Sequence, residues 1–297
     1  KGQILGQEPA GRVVATGEEV EGVSEGDRVA VPFNLADGVC PECMAGHSNV
    51  CENVVPLGFA EVAQGAFAEE VHVPTADMNA VHLPDGVDSV DMAGLGCRFM
   101  TAFHGLAHRA DVGPGDWVAV HGCGGVGLSA VHIADALGAN VVAVDLTDEK
   151  LSKAESLGAD ETVNAAETDD VPKAVKALAD GGADVSIDAL GIAETSRNSV
   201  LSLGRRGQHL QIGLTTQEEQ GMVALPTDAM VMQEIDFLGS FGMQPTRYGE
   251  IFRMVERGTL DPSAVVSETI SLDDVPGTLA AMSDFGTVGI PVCNEFA

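Results

Sequence analysis

The chain reads as an α/β protein, a doubly wound parallel sheet joined to a smaller, mostly β domain, and three observations carry that expectation. The apolar run Trp117 to His121 opens directly onto Gly122-Cys-Gly124-Gly125-Val126-Gly127 and then onto a helical pattern ending at Gly138. That order is strand, tight turn, helix. Apolar runs and helical stretches then alternate through residues 93 to 244, as they do in a parallel sheet covered by helices on both faces. Residues 1 to 92 differ: short β-like runs such as Gly11 to Ala15 and Asp27 to Val31 lie between Gly-containing turns, the pattern of a small β domain. Residues 245 to 297, with a helical stretch around Glu250 to Val255 and a terminal β-like segment, are expected to return to that first domain.

The glycine loop carries the first chemical signal. Gly122 permits a tight turn, Gly124 lets the backbone approach a pyrophosphate, and Gly127 lets the following helix pack closely, while Gly125 and Val126 place N–H groups at the helix start. The next apolar run, Val141 to Val144, ends in Asp145, near the spacing at which an acid accepts the hydroxyls of an adenosine ribose. With 45 Asp and Glu among 297 residues, an acid at one chosen position is common. The absence of Arg or Lys at 146 to 149 sharpens the reading, because a site for a ribose 2′-phosphate would place a cation there. NAD is therefore expected in preference to NADP.

Beyond Asp145 the pattern predicts a helix stopped at Gly158, a strand at Glu161 to Val163, and a helix opened by Thr168 with Val171, Val175 and Leu178 on one face. Further strands are expected at Ala183 to Asp188, Gly207 to Ile212 and Ile235 to Gly239, and a helix ending at Gly204.

Composition excludes several classes. The formal net charge is −30, with five Lys and ten Arg, yet 45% of residues are hydrophobic. Disordered acidic chains lack such apolar content. Nucleic acid and anionic membranes would be repelled, no apolar run is long enough to span a bilayer, and no signal segment opens the chain. A soluble, cytoplasmic protein is expected. An acidic, Lys-poor surface over a normal core suits a halophilic source, where salt screens self-repulsion. Six cysteines, three of them clustered at Cys40, Cys43 and Cys51, point to metal ligands rather than a secreted disulfide framework.

Gly6-Gln7-Glu8-Pro-Ala-Gly11, Val23-Ser-Glu-Gly26-Asp27-Arg28-Val29, the cysteine cluster, Gly96-Cys97-Arg-Phe-Met-Thr101-Ala, the loop Gly122 to Gly127 and Glu149-Lys150-Leu-Ser-Lys-Ala154 together resemble the zinc-dependent alcohol dehydrogenases of the medium-chain dehydrogenase/reductase superfamily. The resemblance implies a GroES-like catalytic domain plus a Rossmann domain, NAD-linked interconversion of a small alcohol or polyol and its carbonyl, and a homo-oligomer, dimer or tetramer. It places Thr101, Leu190, Gly191, Ile212, Gly213 and Leu214 around the nicotinamide and its ribose, and Lys150 on the adenosine ribose. The family's structural zinc sits in C-x2-C-x2-C-x7-C, which here is Asp37-x2-Cys40-x2-Cys43-x7-Cys51. Zinc accepts a carboxylate oxygen beside three thiolates, so a zinc at this lobe is expected.

The catalytic zinc implied by the resemblance is less well provided for. Cys97 and Glu8 stand at matching positions, but Gln7 replaces the family's histidine and the first cysteine ligand has no counterpart, so the chain is expected either to be part of a longer protein or to be metal-free at that centre. Two competing functions remain: a zinc-free reductase of quinones or activated alkenes, and a dinucleotide-binding homologue without turnover. His104 and His108 lack a metal-binding context and are expected on a partly exposed helical face. Cys123 and Cys293 are expected as packed thiols, and Arg205-Arg206 as a turn.

Overall fold

A computed structural model describes residues 2–282 and 287–296. The chain divides into two compact units, one formed by residues 1–100 with 242–297, the other by residues 101–241.

The first unit begins with β1 (Ala10–Arg12), β2 (Arg28–Ala30) and β3 (Asn34–Leu35), the helical turn α1 (Pro41–Met44), β4 (Val55–Pro56), α2 (Ala76–Asn79) and β5 (Val81–His82). Antiparallel pairing gives the order β1-β2-β5, with β3 and β4 a separate ribbon. These strands are shorter than the expected runs: beyond β1 only Val13 continues the pairing, donating to the Asp27 carbonyl and accepting from the Gly26 N–H. Buried Val31, Leu35, Leu57 and Ala63 form a local core. Then come α3 (Ser89–Gly94), capped by the Asp88 side chain on the Val90 N–H, and α4 (Cys97–His104).

The second unit holds β6 (Trp117–His121), α5 (Gly125–Ala136), β7 (Asn140–Asp145), α6 (Asp148–Ser156), β8 (Glu161–Asn164), α7 (Val171–Leu178), β9 (Ala183–Asp188), α8 (Ala193–Ser202), β10 (Leu203–Gln211), α9 (Thr227–Gln233) and β11 (Asp236–Gly239). All six strands are parallel in the order β11-β10-β9-β6-β7-β8. Numbered within this unit the order is 6-5-4-1-2-3, the doubly wound Rossmann sheet, whose crevice lies at the carboxyl ends of β6 and its neighbours. Val142, Val144 and Val163 on the sheet pack with Val171 and Val175 of α7 and with Ala179 just after it. Helix α5 is apolar almost all round and buried from Gly127 to Val131, as a helix laid on a sheet must be. It stops where Gly138 takes φ +85°, the left-handed position that ends many helices.

Several expectations shift by a few residues. Helix α7 is opened by Asp170, whose carboxylate accepts the Lys173 N–H; Thr168 instead donates to the Asn164 carbonyl. The strand β10 begins at Leu203, so Gly204 lies inside it rather than closing a helix. Arg205 and Arg206 form an irregularity in β10 rather than a turn: the register against β9 slips between Leu203 and Gln208, and Arg206 takes φ +62°. His104 is buried, 6% exposed, with Nδ1 3.1 Å from Nδ1 of His108. After His104 the helix gives way to a wider turn, Gly105–Arg109, on which His108 stays partly exposed.

After residue 242 the chain rejoins the first unit with α10 (Tyr248–Glu256), β12 (Val266–Ser271), α11 (Val275–Met282) and β13 (Ile290–Glu295). Here β12 and β13 pair in parallel.

Candidate cofactor and metal sites

The glycine loop after β6 is built as its spacing requires. Gly122 has φ +95°, and a Cβ there would lie 2.6 Å from the Leu190 side chain. A Cβ on Gly127 would stand 1.7 Å from the Gly122 carbonyl oxygen, so only glycine lets α5 approach the loop. Gly124 is different, since a Cβ there would meet nothing within 4 Å. That open space in front of the first turn of α5, where Gly125 and Val126 begin the helix, fits a pyrophosphate held by backbone N–H groups and the helix dipole.

Asp145 ends β7 and is 9% exposed. Its Oδ2 accepts the Cys123 N–H at 2.7 Å and its Oδ1 the Leu146 N–H at 2.8 Å, which locks the carboxylate beside the glycine loop. Each oxygen keeps a further lone pair for a ribose hydroxyl. Lys150 Nζ lies 3.8 Å from Oδ1, so the two residues expected at the adenosine ribose are neighbours. Cys123 is fully buried; burial and the Asp145 charge push its thiol well above the ordinary range, which leaves it a packing residue.

At the other end of the crevice, Leu190, Gly191, Ile212 and Gly213 follow the last residues of β9 and β10. Gly191 has φ +86°, and a Cβ on Gly213 would lie 2.3 Å from the Gly191 nitrogen, so the two loops touch backbone to backbone. Thr101 is 7% exposed and its carbonyl accepts the Ser240 hydroxyl, whereas Leu214 is 78% exposed. Sequence reasoning missed Asp188, which holds these loops. Its signal was present, because it ends an apolar strand as Asp145 does. Burial raises the Asp188 carboxyl, and hydrogen bonds from Gly191, Ser196, Gln211 and Leu190 outweigh it and hold it below the ordinary carboxylate range.

In the first unit, Asp37, Cys40, Cys43 and Cys51 converge, with one ligand atom from each within 4.8 Å of all the others. Cys40 Sγ and Cys51 Sγ are 3.7 Å apart, and thiolates on a tetrahedral zinc at about 2.3 Å stand about 3.8 Å apart. Backbone N–H groups of Cys43 and Asp37 point at the Cys40 and Cys51 sulfurs, both at 3.4 Å, which favours thiolates there. The Asn53 amide and the N–H groups of Cys40 and Val39 hold the Asp37 carboxyl far below its ordinary range, while burial and the neighbouring Cys40 push the Cys43 thiol up to about 12. A divalent cation reverses that last effect by taking the thiolate directly. The four residues fit a zinc.

Cys97 and Glu8 do not assemble a comparable set. Glu8 is turned to Arg98, its Oε2 3.1 Å from Nη2 and its Oε1 3.3 Å from the Arg98 N–H. A carboxylate neutralised by a guanidinium is a poor partner for a second cation. Among the described residues the Asp37 group is the only cluster of three or more potential metal ligands. Arg98, adjacent to Cys97 in sequence, was missed as the partner of Glu8. Tyr248, 3% exposed, was missed as well, and burial followed by the charges of Cys97 and Glu8 pushes its hydroxyl above the ordinary range. Gln7, Glu8 and Arg98 line one side of a cavity of about 1370 Å³ whose other walls include Val13, Phe67, Val71 and Val292. That is larger than a small alcohol requires.

Comparison with known proteins gives the same picture. The model of the alcohol dehydrogenase GroES-like domain matches residues 1–85 and that of the zinc-binding dehydrogenases residues 125–257. An alcohol dehydrogenase of Geobacillus stearothermophilus is 31% identical over 275 residues, 92% of this chain and 76% of that enzyme. The chain belongs to the zinc-dependent alcohol dehydrogenase family of the medium-chain superfamily. An alcohol dehydrogenase of Moraxella sp. (strain TAE123) is 40% identical over 206 residues, 69% of this chain, and the match spans 58% of its own length. A solved structure described as an NAD-dependent alcohol dehydrogenase superposes with a TM-score of 0.86 at 30% identity, over 99% of this chain and 83% of that one. The Asp37 cluster and the Gly122 loop are the two most completely assembled candidate sites among the described residues.

Proposed function

We propose that this chain binds NAD(H) and serves an oxidoreductase that interconverts a small alcohol and its aldehyde or ketone. The observation that carries the reading is Asp145, buried at the end of β7, fixed by two backbone N–H groups beside the glycine loop and accompanied by Lys150. In this reading Gly122, Gly124, Gly125, Val126 and Gly127 receive the pyrophosphate, Asp145 and Lys150 the adenosine ribose, and Thr101, Leu190, Gly191, Ile212, Gly213 and Leu214 the nicotinamide riboside. The bound nicotinamide supplies the hydride chemistry. The chain supplies placement: the glycines let the backbone close on the phosphates, and the two touching loops set the position of the ring. Asp37, Cys40, Cys43 and Cys51 would hold a zinc that braces their lobe and has no open position for substrate.

The decisive experiment is calorimetric titration with NADH and NADPH. NADH is expected to bind at least tenfold more tightly, about 1.4 kcal/mol, because a 2′-phosphate would meet Asp145 with no cation at 146 to 149. Equal affinities, or tighter NADPH, would overturn the role of Asp145.

A second reading, a dinucleotide-binding homologue with little turnover, is favoured by one feature. Glu8 is occupied by Arg98 and Gln7 precedes it, so among the described residues Cys97 and Glu8 offer a developing oxyanion no three-ligand metal centre. Measuring alcohol-dependent NAD reduction separates the two readings. The same proposal includes a cytoplasmic, saline setting, supported by the charge of −30, and self-association as a dimer or tetramer. Self-association is supported by exposed Val231 and Met232 on α9 and Phe237 on the edge strand β11.

A further inference from the structure

We propose that Asp188 is the positioning residue for the nicotinamide end of the cofactor site, a single buried carboxylate that ties the loop after β9 to the loop after β10. The inference rests on the NAD(H) reading above and deepens it. Asp188 has no exposed surface. Its Oδ1 accepts the N–H groups of Leu190 at 3.0 Å and Gly191 at 2.9 Å and the Thr195 hydroxyl at 2.8 Å. Its Oδ2 accepts the Ser196 hydroxyl and the Gln211 amide, and its main-chain carbonyl accepts the N–H groups of Ile212 and Gly213. Four of the residues assigned to the nicotinamide riboside therefore hang on one side chain and its own peptide.

The Gln211 amide has a fixed polarity. Its Nε2 faces two acceptors, the Asp188 carboxylate and the Gly213 carbonyl, so its Oε1 faces His209 Nε2 at 3.0 Å. His209 must then carry its proton on Nε2 and accept at Nδ1 from the Ser199 hydroxyl, which in turn accepts from Ser186. Ser186, Ser196, Ser199 and His209 have no exposed surface. A buried charge surrounded by a fully satisfied polar network is costly to assemble compared with an apolar core. The network ends at the two loops, and the adenosine end is held separately by Asp145 on β7, two strands away across β6. The geometry thus separates the two halves of the cofactor site: Asp188 sets the position of the nicotinamide loops and leaves the adenosine end untouched.

The test uses two ligands that share the adenosine diphosphate part, NADH and ADP, of which only NADH carries the nicotinamide riboside that the two loops receive. Asp188→Asn presents an amide N–H to the Gln211 amide or to the Ser196 hydroxyl, which breaks the clamp while preserving side-chain size. By titration calorimetry on the full chain, it is expected to weaken NADH by about tenfold or more and to leave ADP within a factor of about two. Ser196→Ala removes a single donor and is expected to weaken NADH by about threefold with ADP again unchanged; it carries the test if Asp188→Asn does not fold. Equal weakening of both ligands, or no weakening of NADH, overturns the assignment of Asp188 alone. A wild-type chain that binds neither ligand overturns the cofactor reading and this assignment with it.

Discussion

Gly124 and Gly127 stand three residues apart in one loop and are glycines for opposite reasons. A side chain at Gly127 collides with the Gly122 carbonyl, whereas a side chain at Gly124 enters space that nothing in the protein occupies. Gly127→Ala is therefore expected to cost about 2 to 3 kcal/mol of stability through overpacking. Gly124→Ala should leave the melting temperature within a degree or two and weaken NADH. A thermal melt and a titration on each variant check the contrast. His121, the residue before the loop, is 2% exposed and its Nε2 has no partner among the described residues. Burial lowers its pKa from 6.5 to about 4, with the Asp188 charge opposing and His209 adding to the effect. Below pH 6.5 the unfolded chain takes up a proton that the folded chain refuses until about pH 4, so stability is complete above 6.5 and is lost as the pH falls through that window. The contribution amounts to as much as about 1.4 kcal/mol per pH unit. Urea unfolding between pH 7 and 5 should show a shallower loss in His121→Met; an unchanged slope would contradict the assignment.

The zinc lobe, from Asp37 through α1 to Cys51, shows what an element built on ligands requires. Its buried apolar residues are few, with Ala36, Cys40 and Cys51 the buried members of the cluster. A lobe with so little apolar core depends on cross-links for rigidity. Asp37 already serves the turn by accepting from Val39, Cys40 and Asn53, so its carboxylate contributes to local structure whether or not it also binds metal. The wild-type chain is expected to carry one zinc per chain at this lobe, and Asp37→Cys to retain it at chelator concentrations that strip the wild type. Metal analysis after graded chelation, with limited proteolysis across residues 37 to 53, reads both effects. No zinc in either form would show the cluster to be a remnant. The element boundaries that sequence misplaced have local causes. Asp170 outcompetes Thr168 as the start of α7 because its carboxylate reaches the Lys173 N–H. The break at Arg205 and Arg206 is absorbed as a bulge because β10 must still pair with β9 on both sides of it.

Over the whole molecule, charge is the dominant feature. With 45 acidic and 15 basic residues, self-repulsion opposes the folded state until salt screens it. The Debye length falls from about 10 Å at 0.1 M salt to about 3 Å at 1 M. The melting temperature is therefore expected to rise steadily with KCl between these concentrations, each kcal/mol of relieved repulsion adding about 2–4 °C. A scanning-calorimetry series checks this, and a flat or falling profile would remove the case for a saline setting.

The pattern of apolar strands, helix stops and glycines in residues 93 to 244 determined the Rossmann sheet, and the spacing from Gly122 to Asp145 singled out the place where we propose that a dinucleotide lies. Both rest on local chemistry that a single stretch of chain carries by itself: strand periodicity, a turn only glycine can make, an acid at a strand end. Cys40, Cys43 and Cys51 were legible for the same reason, since their ligand spacing lies within fifteen residues. Only the tertiary structure decided that Glu8 faces Arg98, ninety residues away, instead of standing ready for a metal. It alone showed that Asp188, Gln211, His209 and Ser199 form one buried network from two strands and a helix. Such pairings depend on which strands become neighbours and which side chains lose their water, and the free energy that selects them comes from the packed whole, not from any segment.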